Sequence, residues 1–220
     1  MNDAQKRALG LVARYRRLPK QVAEILGVGG TLAGLLERGL LQQHPLPGNL
    51  VAFGITEASA RFLSLPPKRA ESLGEAALDC SIAALWFCHL NGRRRVRVEY
   101  SELRPLLGAE PPKGLVLCLD DAPRPCLYRV YVPGANTSIR DIARQLEKAL
   151  QASRVSALAP WLEDGLYGVA VLASEEGRLP RIHEAAAQHA KHIPIIIEYA
   201  PDALGLAEAL RRRRQHEGKG

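Results

Sequence analysis

Aromatic side chains are scarce in this chain of 220 residues: phenylalanine, tryptophan and tyrosine together make up 5%. Any core must therefore be aliphatic. The apolar types together reach 47%, which excludes disorder as the main state. Long apolar runs are lacking too. No stretch approaches the roughly 18 apolar residues that a membrane-spanning helix needs, so no membrane partner is expected. The opening Met1-Asn2-Asp3-Ala4-Gln5-Lys6-Arg7 holds no apolar run and does not read as a secretory signal. Cysteine is sparse, and Cys80, Cys88, Cys118 and Cys126 form no Cys-x-x-Cys pair. They indicate neither a disulfide framework nor a zinc site and read as small buried hydrophobes of a reduced, cytoplasmic protein.

Several catalytic patterns are missing as well. There is no Gly-x-Ser-x-Gly elbow and no phosphate loop. His183 and His189 are six apart and do not share a helix face. His189 and His192, three apart, would permit one metal site but read as a solvated helix end. Cys88 and His89 are adjacent, so on a helix they point different ways and form no dyad.

Basic charge, in contrast, is in excess: 30 Lys and Arg against 23 Asp and Glu, a net +7. Residues 1–65 hold 8 basic and 4 acidic side chains, residues 66–210 hold 17 and 18, and residues 211–220 hold 5 and 1. The excess is at the two ends, which is the distribution expected if one part of the molecule meets an anionic partner.

Periodicity divides the chain further. Ala8, Leu11, Val12, Tyr15 and Leu18 lie on one helical face. Pro19 starts a second short helix, and Gly27-Val28-Gly29-Gly30 is a turn. Thr31 is the expected cap of a third helix that Gly39 ends. Two apolar runs around Pro45-Leu46-Pro47-Gly48-Asn49 read as a hairpin, and Thr56 caps a fourth helix. A boundary is expected at residues 64–70. Beyond it the pattern predicts a long helix at 73–90, strands at 96–100, 115–119 and 127–132, and a helix at 139–150 capped by Ser138. A strand at 167–173, a helix at 178–191, a strand at 193–199 and a final helix from Asp202 to about Arg213 complete the order. Residues 215–220 read as a disordered tail. The fold class expected is α+β: an N-terminal winged helix-turn-helix at 1–65, then a mixed α/β domain at 66–214.

The winged-helix reading rests on Leu36-Glu37-Arg38-Gly39-Leu40-Leu41, the hairpin, and Ile55-Thr56-Glu57-Ala58-Ser59-Ala60-Arg61-Phe62-Leu63. These resemble the recognition-helix end and wing of prokaryotic winged-helix proteins, with Ser59 in place of the usual glycine. The third helix is short and poor in base-reading groups; Thr31 and Arg38 alone qualify. Phosphate contacts have more candidates: Arg14, Arg16, Arg17, Lys20 and Gln21, with Gln42, Gln43, His44 and Asn49 at the wing.

Winged helix, linking helix and β-β-α-β-α-β domain together resemble the replication-relaxation family of plasmid and mobile-element proteins. The second domain of that family looks like a degenerate PD-(D/E)XK, restriction-endonuclease-like fold. The corresponding pieces are Glu99-Tyr100-Ser101-Glu102-Leu103-Arg104, Pro112-Lys113-Gly114-Leu115-Val116-Leu117, Tyr128-Arg129-Val130-Tyr131-Val132-Pro133-Gly134 and Gln145-Leu146-Glu147-Lys148. Hydrolysis on this fold needs converging carboxylates around Mg²⁺. Here the pattern's Asp falls on Lys113, and its Glu and the next carboxylate fall on Arg129 and Tyr131. Glu102 alone cannot hold the ion, and Asp120 and Asp121 read as turn residues. No catalysis, metal or cofactor is expected of this domain, which reads instead as a binding or dimerisation module.

The sequence therefore points to a sequence-specific double-stranded DNA-binding protein of a plasmid or mobile element. It would act as a homodimer in transcription regulation or in replication or transfer control, with replication or conjugation proteins as further partners. The run from Arg211 to Arg214 would add phosphate contacts or simply end a helix. Two alternatives stay open: a metal-dependent nuclease or nuclease subunit, and a protein-interaction adaptor whose winged helix leaves DNA untouched.

Overall fold

A computed structural model describes residues 1–107, 112–120, 124–154, 156–187 and 193–217. The chain is α+β, with ten helices and two sheets among these residues. It divides into two compact units: residues 1–85 with 201–220, and residues 86–200. The division falls inside a helix, and the C-terminal segment groups with the first unit.

The first unit begins with α1 (Asp3–Tyr15), which buries Ala8, Leu9, Val12, Ala13 and Tyr15 along one face. Its start is fixed by a reciprocal cap: Asn2 accepts from the Gln5 N–H at 2.9 Å, and Gln5 accepts from the Asn2 N–H. Next come β1 (Leu18–Pro19), α2 (Lys20–Ile25), α3 (Leu32–Glu37), β2 (Leu41–Leu46), β3 (Leu50–Ile55) and α4 (Glu57–Phe62). The sheet order is β1-β3-β2, all antiparallel. β1 is too short to show a period in the sequence, and Pro19 belongs to it rather than to the helix.

Gly39 explains how α3 stops. At φ +65° it lets its own N–H reach the Leu36 carbonyl and the Leu40 N–H reach Leu35. Ser59 also has a defined role here. It is fully buried, and its hydroxyl donates to the Leu40 carbonyl, while Thr56 donates to Gly39 at 2.8 Å and accepts from the Ser59 N–H. The residue that stands where glycine is usual thus ties α4 to the turn after α3. Thr31 corrects an expectation: its hydroxyl caps nothing and instead donates to the Val28 carbonyl at 2.8 Å.

α5 (Glu75–His89) starts in the first unit, where the Ser81 hydroxyl donates to the Tyr15 carbonyl. α10 (Leu206–Glu217) is held there too, since the Ala203 N–H donates to the Asp79 carboxylate at 2.9 Å. It begins four residues after Asp202, whose carboxylate caps the Gly205 N–H at 2.7 Å, and it runs on into the segment expected to be disordered.

The second unit is a five-stranded sheet in the order β4-β5-β6-β7-β8. Its strands are β4 (Arg95–Arg97), β5 (Leu115–Cys118), β6 (Cys126–Tyr131), β7 (Tyr167–Ala173) and β8 (Ile195–Tyr199). The first two pairings are antiparallel and the last two parallel. The parallel pairs are joined through α7 (Ile139–Arg154) with α8 (Ala159–Glu163), and through α9 (Leu179–Ala186). β7 is buried along its whole length, as a continuous apolar run predicts. Ser138 caps α7 by accepting from the Asp141 N–H at 3.1 Å, as expected. Ile142, Leu146 and Leu150 of α7 then pack on Val169 and Val171 of β7 and Ile182 of α9.

Of the strand expected at 96–100, Val96 and Arg97 lie in β4, Val98 and Glu99 lie in no regular element, and Tyr100 starts α6 (Tyr100–Leu107). Glu102 opens that helix, accepting from the Glu99 N–H at 2.7 Å, so its carboxylate is a helix cap. Cys88, Cys118 and Cys126 are buried as expected, but Cys80 is exposed. His189, His192 and Asp121 lie outside the described residues. Among the described residues, no helix is long and apolar enough to cross a membrane.

Candidate nucleic-acid interface

The first unit carries most of the charge. Residues 1–85 and 201–220 hold 15 basic and 10 acidic side chains, a net +5, against 15 and 13 in residues 86–200. The C-terminal arginines, distant in sequence, therefore add to the same body as the N-terminal ones.

The eleven candidate residues separate into two sets. One set is turned inward. Arg17 is only 2% exposed and donates to the carbonyls of Arg16 at 2.8 Å and Glu71 at 3.1 Å. Burial, and then the neighbouring Arg16 charge, push its pKa down to about 10, which still leaves it protonated at neutral pH. Arg16 itself, at φ +64°, donates to the Lys68 carbonyl at 2.8 Å. Gln42 donates to the carbonyls of Ile55 and Ala70. These three side chains fasten residues 68–71 onto the unit. That role removes Arg17 and Gln42 from the phosphate contacts and engages Arg16. Gln21 is half-buried with its Oε1 enclosed, and Thr31 is half-buried on the Val28 carbonyl.

His44 is turned inward at one nitrogen. Its Nε2 is buried, and both it and Arg17 would crowd a Cβ placed on Gly54, at 2.8 and 2.7 Å. Burial, followed by the Arg17 charge, holds the imidazole below its ordinary 6.5. An imidazole kept neutral in this way is a poor phosphate ligand. The consequence for stability has a definite sign. The unfolded chain takes up the proton first on acidification, so this contribution is full above pH 6.5 and is lost as the pH falls through the lower folded value. Thermal unfolding followed by circular dichroism between about pH 8 and 5.5 is expected to show a shallower acid-side decline in His44→Gln than in the wild type. Identical declines would show that the imidazole is not responsible.

The other set is exposed. Lys20 opens α2, Arg38 ends α3, Gln43 lies in β2, and Asn49 sits at the hairpin tip; Arg14 is half-buried in the last turn of α1. Lys20 and Gln43 are brought together at the rim of a cleft of about 310 Å³, whose walls include Leu32, Ala33, Leu36, Val51 and Phe53. α3 spans only six residues and turns Ala33 and Glu37 outward, so Arg38 is its one cation.

The hairpin tip has a neighbour that the sequence does not signal. A Cβ on Gly48, at φ +71°, would come within 2.8 Å of the Ala207 side chain in α10. The tip therefore lies against the helix that carries the arginine run. Arg211 and Arg212 both pair with Glu208, at 2.8 and 3.0 Å, and Arg214 is exposed. Arg214 and Lys20 are thus exposed cations of the first unit.

No family model, curated protein or solved structure matches the chain.

Proposed function

We propose that the first unit is a winged helix that binds double-stranded DNA, and that the protein is a non-catalytic, sequence-specific DNA binder acting as a homodimer. The observation that carries this reading is the charge: a net +5 collected on the unit whose elements run helix, short strand, helix, helix, hairpin. Support also comes from the β1-β3-β2 sheet, which places a two-stranded ribbon beside α3. A role in transcription, replication or transfer of a mobile element follows from the family resemblance.

Salt-titrated gel shifts on duplexes test the proposal. Each phosphate neutralised adds about −0.9 to the slope of log affinity against log salt. Lys20→Ala and Arg214→Ala are each expected to reduce the slope by about one, on every duplex alike. Arg38→Ala is expected to flatten sequence preference, at a cost of about 1–3 kcal/mol on the preferred site. Absence of binding to any duplex at low salt would overturn the reading. The bare outward face of α3 and the apolar cleft beside it favour a second reading, a protein-interaction adaptor. That reading is supported if binding to DNA is absent while a partner protein competes for the Lys20–Gln43 rim.

A further inference from the structure

A second cationic cavity lies wholly inside the second unit. It measures about 310 Å³, and its polar lining is Arg129, Tyr131, Gln145 and Lys148. Arg129 stands on β6, the middle strand, directly between Leu115 of β5 and Val169 of β7. Leu115 and Val169 are each 1% exposed, so the row is a core row and the pattern of the sheet calls for an aliphatic residue there. Arg129 is half-buried, so its guanidinium reaches the cavity that opens beside the row. Among the described residues neither the Arg129 nor the Lys148 side chain makes an ion pair or hydrogen bond, and no carboxylate lines the cavity.

The space itself comes from α7. Gln145, Lys148 and Ala152 follow at helical spacings along an exposed edge of α7, beside the buried Leu146, and with the small Ala149 they line the opening next to β6. Tyr131 packs on the Ile142 and Leu146 cluster and places its phenol at the end of the same strand.

From this geometry we infer that the cavity is a binding site for a phosphoryl group carried on an organic residue. A guanidinium fork, an ammonium and an amide on one cavity wall offer donors to a dianion with three acceptor oxygens. The volume exceeds what a bare phosphate fills, and the aliphatic walls of Val130, Leu146 and Ala149 suit the group attached to it. The phosphoryl group can come from a free nucleotide or from the backbone of a nucleic-acid strand. The site is independent of the DNA reading of the first unit.

The test is isothermal titration of the full chain at fixed ionic strength with thymidine 5′-monophosphate, with thymidine, and with a short oligothymidylate. The monophosphate is expected to bind and thymidine to give no heat. Lys148→Gln and Arg129→Gln are each expected to weaken the monophosphate by about tenfold, as loss of a charge-assisted hydrogen bond requires. Lys148 is exposed on α7, so that variant folds and decides the matter if Arg129→Gln does not. If the monophosphate is silent but the oligothymidylate binds and weakens about tenfold in Lys148→Gln, the site stands with the strand as its source. If neither phosphate compound binds, or both bind Lys148→Gln as tightly as wild type, the inference is overturned.

Discussion

Arg95→Ala is expected to destabilise the second unit by about 3–5 kcal/mol, the range seen when one member of a buried ion pair is deleted. The Arg95 side chain is fully buried, and it meets both Glu198 carboxylate oxygens, at 2.6 and 2.8 Å. The guanidinium also stacks at 3.8 Å on the Phe87 ring and donates to the Phe87 carbonyl. Asn91 donates to the same carboxylate at 2.5 Å. Removing the arginine would leave the Glu198 side chain, itself 29% exposed, facing a hole on its buried side, with Asn91 as its donor among the described residues. The desolvation cost of the carboxylate is then uncompensated, and the cavity adds to it. The double change Arg95→Met with Glu198→Leu is expected to recover most of the loss, since an apolar pair of similar volume carries no desolvation cost. Both tryptophans, Trp86 and Trp161, belong to this unit, so urea unfolding followed by their fluorescence reports it directly. A loss below about 1 kcal/mol in Arg95→Ala would mean the pair is a surface-like contact after all.

Gly168→Ala is the second large effect. A Cβ there would stand 2.2 Å from the Pro194 carbonyl oxygen and 2.8 Å from the Tyr128 ring. That carbonyl accepts the Val169 N–H at 3.0 Å, so it cannot retreat without breaking a bond between the β7 and β8 segments. Overpacking costs about 1–3 kcal/mol, occasionally more, and the lost hydrogen bond about 1 more. We expect a destabilisation of about 2–4 kcal/mol by the same fluorescence assay, with the parallel pair at the β8 edge opened. Unchanged stability would show that the β8 segment shifts freely.

What could be read from residues alone was what depends on near neighbours. The stripe of Ile142, Leu146 and Leu150, the Ser138 cap and the apolar run of β7 are local patterns, and each folds as its period requires. α6 was not legible, because Val96-Arg97-Val98-Glu99-Tyr100 alternates like a strand. The helix is set instead by Glu102 reaching back to Glu99. Arginines were the hardest. Arg95 stands in a basic turn by sequence, yet its partner is 103 residues away. Arg17 looks like a surface cation, yet its second carbonyl partner is 54 residues on. Composition states that a guanidinium is present; only the closed chain shows whether it points at solvent or at a carbonyl. Arg129 was visible as a cation where hydrolysis would need a carboxylate, but its company with Gln145 and Lys148 required α7 to lie across β6.

The first unit is assembled from both ends of the sequence. On the ribosome, residues 86–200 emerge before residues 201–217 do, so the unit that starts first is completed last. The Asp79 carboxylate and the Gly48 hairpin tip wait through that interval without Ala203 and Ala207. Closing so long a loop is slow by its topology. The basic body of the molecule thus becomes whole only after its neighbour has been made.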